Sequence, residues 1–326
     1  MNKLYPLKFK PLFKERIWGG QKIKTTLGLD FSPLPNCGEA WILSGVPSSQ
    51  TRVSNGFLRG NELNELVEIF MDDLVGDKVF ERSQKEFPIL VKFIDSNEYL
   101  SIQVHPNDEL AALRKSGSGK TEMWYILDAE KDAELISGFS RQVNPATYLE
   151  HLERKKLKSI LNIEKVNKDD VFFIPSGRIH ALGPGILLTE IQQTSDTTYR
   201  IHDWDRVDSY GKSRELHTEL ALDAIDYRVP DTYRTHYRKT LNQSSTLISC
   251  PYFVTNLLDF DKVLIKNYTG LDSFVIYICT DGAARMNYND GNMELRKGES
   301  VLIPAILEKI QLFPDRKCKI LEVYIP

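Results

Sequence analysis

The segment LVKFIDSNEYLSIQVHP (Leu90–Pro106) carries the clearest indication of how this chain folds. Its first half belongs to a continuous apolar run, Phe87–Asp95, which is typical of a buried β-strand. A short polar turn, Ser96–Glu98, separates this run from a second strand that ends at His105. The segment therefore predicts two successive strands, the second of which carries potential metal ligands.

Most of the remaining chain shows the same pattern of short apolar runs broken by Gly, Pro and Asn-Asp turns, which favours a β-sandwich or small barrel. Three segments have helical spacing instead: Asn61–Gly76 with Asn61 as its N-cap, Asn144–Leu157 with Pro145 in the first turn, and Ser213–Ile225. The sequence thus predicts a mainly β protein with a few flanking helices. The further predicted strands are EMWYILD (Glu122–Asp128), VFFIP (Val171–Pro175), ILLTEIQQ (Ile186–Gln193), PYFVTNLLDF, SFVIYICTDGAARM, ESVLIPA and KILEVYI.

A polar, irregular stretch from about Tyr227 to Ser245 reads as a linker, so we place a domain boundary near residue 240. The two parts, residues 1–240 and 241–326, contain related segments: DDVFFIPSGRIH (Asp169–His180) and KGESVLIPAILEK (Lys297–Lys309). In each, a polar turn precedes an apolar strand that ends in proline. Lys309 occupies the position of His180. The echo predicts a duplicated β-barrel unit in which only the first copy binds metal.

Composition excludes several classes of function. The 326 residues have a net charge of −3, so no broad basic surface for nucleic acid is expected. No apolar run approaches the roughly 20 residues that span a membrane, and no signal peptide is recognisable at the start. Cysteines lack C-x-x-C spacing, which favours free thiols in a reduced cytoplasm. They are Cys37, Cys250, Cys279 and Cys318.

Potential metal ligands lie on three predicted strands. Gln103 and His105 share one strand face, because side chains alternate with a period of two. Glu122 opens the next strand, and His180 lies in the loop after a third. Two imidazoles, a carboxylate and an amide oxygen suit one divalent ion, zinc above all. Lys120 lies two residues before Glu122 and is expected to point the same way.

Simpler interpretations compete with each of these assignments. A single histidine is usually a surface or structural residue, and we assign that role to His151, His217 and His236. Glu122 and Lys120 can also form a plain surface ion pair. Trp18 and Trp41 are expected to serve in packing. Asp203–Asp205 is expected to form a structural turn. The metal-site hypothesis depends on all the ligands converging in one barrel.

The pattern around His180 resembles the cupin superfamily, in which a turn glycine, a proline and a second glycine precede a ligand histidine. Pro175, Gly177 and His180 match that motif, and Asp169 stands at the turn glycine. The fold class implied is therefore two cupin-type β-barrel or jelly-roll units.

Longer motifs are similar to type I phosphomannose isomerase in its short bacterial form. The resemblance is strong from about Leu12 to Asp208 and only general over the last eighty-odd residues. The motifs are RIWGG (Arg16–Gly20), GEAWILS (Gly38–Ser44), LVKFIDSNEYLSIQVHP, GKTEMWY, PSGRIHALG and SDTTYRIHDWDR.

This resemblance implies a zinc-dependent enzyme that interconverts mannose 6-phosphate and fructose 6-phosphate through an enediol(ate), with one Zn²⁺ per chain. The family's metal ligands map onto Gln103, His105, Glu122 and His180, and its catalytic arginine maps onto Arg200. Lys120 matches the lysine before the ligand glutamate. Arg178 stands where many relatives have a small residue.

Two parts of the chemistry stay open at this stage. The proton carrier between C1 and C2 can be a zinc-bound hydroxide or one of several side chains. Candidates for phosphate binding are Arg200, Lys120, Arg178 and Ser44. SGSGKTE (Ser116–Glu122) lacks the glycine spacing of a nucleotide-binding loop. The side-chain candidates for proton transfer are Lys120, His202, Asp203 and Glu190.

Two alternatives to the isomerase also remain: a different cupin enzyme, such as an Fe(II) oxygenase, and a non-catalytic sugar-binding cupin. The amide ligand and the basic partners Lys120 and Arg200 argue against the oxygenase. The partner expected from the sequence is a small phosphosugar. Protein partners, oligomeric state and the physiological direction of the reaction are left undetermined.

Overall fold

The structure is a computed structural model that describes residues 3–207, 211–289 and 291–326, so that Asp208, the end of the strongest resemblance, lies outside the described residues. The first part of the chain contains strands β1 (Phe9–Lys10), β2 (Leu12–Lys14), β3 (Glu39–Leu43), β4 (Arg52–Val53), β5 (Ile89–Ser96), β6 (Ile102–Val104), β7 (Glu122–Ala129), β8 (Glu134–Phe139), β9 (Leu161–Lys165), β10 (Val171–Ile174), β11 (His180–Leu182), β12 (Ile186–Gln193) and β13 (Tyr199–His202). The last part contains β14 (Gln243–Ser249), β15 (Val254–Phe260), β16 (Leu264–Asn267), β17 (Val275–Asp281), β18 (Ala283–Tyr288), β19 (Gly291–Arg296), β20 (Ser300–Ile303), β21 (Lys309–Pro314) and β22 (Cys318–Tyr324). The helices are α1 (Lys22–Thr25), α2 (Leu63–Val75), α3 (Asp77–Ser83), α4 (Asp108–Leu113), α5 (Pro145–Glu153), a 3₁₀ turn (Leu157–Ile160) and α6 (Thr218–Ala224).

The first unit is a sandwich of two antiparallel sheets. One sheet has the strand order β10-β7-β12-β5-β3-β2, and the facing sheet has the order β13-β6-β11-β8-β9. A cluster of apolar side chains from both sheets, including Ile94, Trp124 and Leu182, fills the space between them. The mainly β jelly-roll prediction is confirmed, although each sheet in the described part of the chain stays open rather than closing into a barrel.

The second unit repeats this strand order. Its sheets run β14-β15-β22-β17-β20 and β16-β21-β18-β19, so that β20, β17, β22 and β15 correspond to β10, β7, β12 and β5. Asp169 and Gly298 both have a positive φ, 72° and 84°, at the turn before the equivalent strands. The duplication predicted from the two echoing segments is therefore present in the topology.

The duplicated units differ at the predicted ligand positions. Ile174 lies opposite Glu122 in the first unit, whereas the equivalent Ile303 lies opposite Val275 in the second. Lys309 begins β21, just as His180 begins β11. The second unit thus lacks the carboxylate and the imidazole at these two positions.

The units pack against each other through their larger sheets. Val91 and Phe93 of the first unit share one apolar core with Leu257, Ile278 and other residues of the second. Helix α2 adds Leu63 and neighbouring residues to the same core. Both faces of the first large sheet are covered, and every residue of β5 is buried, including the polar Lys92, Asp95 and Ser96. The other residues of β5 are apolar on both faces and do not alternate with polar ones.

The helices differ in part from the sequence prediction. Asn144 caps α5 by accepting a hydrogen bond from Thr147 N at 2.9 Å, with Pro145 in the first turn as expected. Helix α2 begins later than predicted: Glu62 is its N-cap, so the assignment of the cap to Asn61 was wrong. Helix α6 also begins late, at Thr218, because the preceding segment pairs with β13, where His217 N donates to Arg200 O at 2.7 Å.

The four cysteines are free thiols, in agreement with their spacing. The described helices include none that is both long and apolar enough to cross a lipid bilayer.

Candidate active site

Three neighbouring strands bring the predicted metal ligands together. His180 lies directly opposite Gln103, because β11 pairs with β6. Glu122 opens β7 in the other sheet, and His105 follows the end of β6. The side chains of His105, Glu122 and His180 are almost completely buried. The convergence on which the metal-site hypothesis depended is therefore present.

Gly177 in the proline–histidine loop fixes the backbone next to this group. Its N–H donates to His105 O at 2.9 Å, so the loop that leads to His180 also holds the other ligand histidine. Gly177 has a φ of 86°, and a Cβ there would lie 2.9 Å from Ala224 O. Glycine is required here both by the left-handed conformation and by the close approach of the backbone.

Each histidine is oriented by one backbone carbonyl. His105 Nδ1 lies 3.0 Å from Thr197 O, and His180 Nδ1 lies 2.8 Å from Arg178 O. A carbonyl only accepts, so each Nδ1 carries the proton and each Nε2 presents a lone pair. This is the arrangement in which imidazoles bind metal ions.

The ligand atoms face one another without satisfying one another. Glu122 lies 3.5 Å from His105 Nε2 and 3.4 Å from His180 Nε2, and all three ligand atoms lie within 4.8 Å of one another. His105 Nε2 and both Glu122 carboxylate oxygens are buried without a hydrogen-bond partner. Ligands about 2.0–2.1 Å from a tetrahedral ion stand about 3.3 Å apart. The residues present thus fit a divalent metal ion.

The electrostatics favour the protonation states that a metal requires. Burial, reinforced by the charge of Lys120, lowers the pKa of His105 to about 3. Burial also lowers the pKa of His180. Burial opposes ionisation of Glu122, but the charge of Lys120 and the contact with His105 hold its pKa well below the usual value. At neutral pH the group is therefore two neutral imidazoles and one carboxylate.

Gln103 lies at the edge of this group. Its Nε2 is 3.2 Å from His180 Nε2. On the other edge of β6, Gln103 lies opposite Arg200 of β13. With the amide in this orientation it donates to His180. A half-turn of the amide would present its oxygen to the same place.

Lys120 reaches the group from the segment before β7, as the period-two argument predicted. Its Nζ lies 3.4 Å from Glu122 Oε2, and only 5% of its side chain is exposed. Its N–H donates to Pro106 O at 3.0 Å, which fastens this segment to the end of the His105 strand.

A cavity of about 480 Å³ opens beside the predicted metal ligands. Its wall contains Gln103 and His180 together with Lys120 and Arg200, so two of the four predicted ligands share this space with the predicted catalytic residues. Ser101 also lines it, whereas Ile102 and Val104 pack into a core on the opposite face of the strand. A cavity of this size accommodates a small substrate.

Two charged pairs also line the cavity wall, and Glu190 of the buried pair is close enough to His180 to act on its charge. Lys92 Nζ donates to Glu190 Oε1 at 2.9 Å, and Trp124 Nε1 donates to Glu190 Oε2 at 3.0 Å. A second carboxylate, Glu39, accepts from Arg16 Nε at 2.9 Å and from Trp41 Nε1 at 2.7 Å. Glu190 was among the predicted proton carriers, whereas Lys92, Glu39 and Arg16 were not predicted as site residues. A charged residue in an otherwise apolar strand was a visible signal for Lys92.

Two predicted phosphate candidates lie outside this cavity. Ser44 is completely buried, and its hydroxyl accepts a hydrogen bond from Val46 N at 3.3 Å. The Arg178 guanidinium lies 5.0 Å from the ring of Tyr233 and donates to Phe173 O at 2.8 Å. Both side chains are thus engaged in contacts away from the described cavity wall.

The remaining candidates have mixed positions. Trp18 lines the cavity and also packs into the sandwich core, whereas Trp41 is completely buried. Trp204 and Asp205 adopt left-handed conformations with φ of 58° and 53°, as expected of a tight turn. His151 bonds to Thr147 O within its own helix, and His217 Nδ1 accepts from Arg200 N, so both have the structural roles assigned to them.

Comparison with known proteins agrees with this geometry. Residues 6–140 match the family model for the catalytic domain of type I phosphomannose isomerase, and residues 243–325 match that for the mannose-6-phosphate isomerase cupin domain. The chain is 37% identical over 327 residues to mannose-6-phosphate isomerase ManA of Bacillus subtilis, a match that covers 96% of this chain and 97% of that protein. It is 31% identical to the mannose-6-phosphate isomerase of Streptococcus mutans, with 95% and 96% covered.

A crystal structure of the mannose 6-phosphate isomerase from Bacillus subtilis superposes with a TM-score of 0.88 at 31% identity, covering 98% of this chain and 99% of that one. The similarity therefore includes both units and the order in which they occur.

Proposed function

Because the chain belongs to the type I phosphomannose isomerase family and is an isomerase, we propose that it interconverts mannose 6-phosphate and fructose 6-phosphate using one zinc ion. His105, Glu122 and His180 would hold the ion, with Gln103 as a fourth ligand after its amide turns. The proposal is carried by one observation: the partnerless buried atoms of His105 and Glu122 lie beside His180, which lines a cavity together with Lys120 and Arg200.

The reaction moves one proton between C1 and C2 of the sugar and a second between the oxygens on these carbons, while the carbonyl changes place. No oxidant or second substrate is therefore needed. When bound, the ion would withdraw charge from the sugar oxygens and stabilise the enediolate, a contribution of several kcal/mol. The remaining contributions to catalysis would have to come from side chains of the protein. The cavity supplies fixed cations, which would stabilise negative charge as it develops on the sugar oxygens.

Lys120 and Glu190 are the proton carriers that the cavity favours. Both line its wall, whereas His202 and Asp203, the other side-chain candidates, are absent from its described lining. Asp203 is also held by Arg206 and Arg214. We therefore assign proton transfer to Lys120 or Glu190, and the binding of substrate oxygens to Arg200.

The domain division is part of the same proposal. We assign the catalytic role to residues 1–240 and a metal-free supporting role to residues 241–326. The support for this comes from the second unit, which has Val275 and Lys309 where the first has Glu122 and His180. Free thiols fit a reducing cytoplasm as the site of action.

The test is to measure bound metal in the purified protein and to assay conversion of mannose 6-phosphate before and after treatment with a chelator. We expect turnover to disappear with the metal and to return with Zn²⁺. Glu122→Gln should lose both metal and activity, whereas Glu153→Gln, an exposed change on α5, should lose neither. Undiminished turnover in fully metal-free protein would contradict the proposal.

A further inference from the structure

Two guanidinium groups hold one carboxylate just after strand β13. Asp203 accepts from Arg214 Nε at 2.7 Å and from Arg206 Nη2 at 2.5 Å, and its side chain is only 6% exposed. Arg206 also donates to Tyr99 O, so its guanidinium is occupied in holding the turn. Arg200 lies in the strand immediately before this turn.

Arg200 and Arg214 both line the cavity. The other cations of the cavity wall each contact a carboxylate of their own: Arg16 pairs with Glu39, Lys92 with Glu190, and Lys120 with Glu122. In contrast, Arg200 forms no ion pair among the described residues, and Arg214 shares the carboxylate of Asp203 with Arg206. The charge of Arg200 is therefore balanced only by carboxylates beyond ion-pair distance, Asp203 and Glu215.

The side chain of Arg200 is incompletely satisfied. Its Nη1 donates to Glu215 O at 2.8 Å, but its Nε is buried and has no hydrogen-bond partner. Burial lowers the pKa of Arg200, and the largest contribution from a neighbouring charge comes from Arg214 and acts in the same direction. A buried donor without a partner, next to a second guanidinium, fits an anion that both groups contact.

We propose that Arg200 and Arg214 bind the phosphate group of the sugar phosphate, and that Asp203 is a positioning residue that aims Arg214 at it. This inference rests on the proposed function and deepens it. Two planar guanidinium groups match the several oxygens of a phosphate dianion better than single ammonium charges do. The phosphate would thus bind at the Arg214 end of the cavity while C1 and C2 lie beside the histidines.

The experiment compares Arg214→Ala and Arg214→Lys with the wild-type holoenzyme. Losing a charge-assisted contact that persists from ground state to transition state should raise KM for mannose 6-phosphate about 10- to 100-fold, with kcat changed by less than about threefold. The inhibition constant of inorganic phosphate should rise in parallel. Arg214→Lys keeps the charge but not the paired geometry. Its KM and its phosphate inhibition constant should therefore lie between those of the wild type and those of Arg214→Ala.

Arg228→Ala is the matched control, because its side chain is 91% exposed and pairs with Asp226 away from the cavity. An unchanged KM and an unchanged phosphate inhibition constant in folded, zinc-loaded Arg214→Ala would overturn the inference. If Arg214→Ala does not fold, the phosphate inhibition constant of Arg214→Lys is measured instead, and an unchanged value would overturn the inference. If the wild type fails to convert the sugar phosphate, the proposed function is wrong, and calorimetry with inorganic phosphate still tests Arg214 by itself.

Discussion

Lys92→Met should destabilise the protein strongly, because it removes one half of a buried ion pair. Lys92 and Glu190 lie on the adjacent strands β5 and β12, and each side chain is only 5% exposed. The Lys92 ammonium lies 2.9 Å from Glu190 Oε1 and 5.1 Å from the centre of the Trp41 ring. Glu190 would be left with Trp124 Nε1 as its remaining donor at 3.0 Å.

The expected loss of stability follows from the isolation of the Glu190 carboxylate. Removing one partner of a buried pair costs about 3–5 kcal/mol, since the other charge stays buried without compensation. The double variant Lys92→Met/Glu190→Leu removes both charges and leaves Trp124 Nε1 without an acceptor, at a cost of about 1–3 kcal/mol. We therefore expect the double variant to be more stable than the single variant.

Urea unfolding of metal-free protein measures these differences without a contribution from metal binding. Lys85→Met is the matched control, because Lys85 forms an exposed pair with Glu68 and should contribute less than about 1 kcal/mol. A loss below about 1 kcal/mol in Lys92→Met, or a double variant less stable than the single one, would refute the argument that the pair is buried and mutually dependent.

Three further predictions concern the site and the contacts between units. Arg200→Ala should lower kcat/KM by about 10²–10³-fold while zinc stays bound; loss of the metal in elemental analysis would mean that Arg200 has a different role. Burial raises the pKa of Asp169, but its hydrogen bond with Lys319 and further contacts lower that pKa overall. The ionised Asp169 carboxylate therefore stabilises the folded protein above the unfolded pKa of 3.8, and this contribution is lost as pH falls through the folded pKa. The Asp169→Asn variant should therefore be less stable than wild type at pH 7 and should lose less stability on acidification, which urea midpoints at the two pH values will show. Tyr252→Phe removes the 2.6 Å hydrogen bond from the second unit to Asp108 and should cost about 0.5–1.5 kcal/mol in the same assay; an unchanged midpoint would contradict it.

Strand periodicity and turn chemistry predicted much of this fold. The alternation in SIQVHP placed Ser101 and Gln103 on one face of the strand and Ile102 and Val104 on the other. The first two line the cavity, and the other two pack in a core. The turn position of Asp169 was predicted from the echo with Gly298, and both residues have a positive φ. These features are local, so a short stretch of sequence is sufficient to specify them.

Other predictions failed because they depended on contacts between distant segments. Ser213–Ile225 has helical spacing throughout, but its first turn is replaced by pairing with β13, where His217 bonds to Arg200. Arg178 was expected at the pocket rim, yet its guanidinium lies against Tyr233 from the irregular stretch after α6. No local pattern distinguishes Arg214 from other surface arginines. Only its approach to Asp203 does so.

The sequence by itself determined the β class, the ligand types and the strand faces, because alternation, turn residues and donor chemistry are properties of neighbouring residues. The tertiary structure decided which charges share the cavity. Lys92 and Glu190 are 98 residues apart and form a buried pair, whereas Arg206 and Arg214 share the carboxylate of Asp203 in the turn after β13. The physical reason is that burial and charge balance depend on all surrounding segments at once, and these meet only in the folded chain.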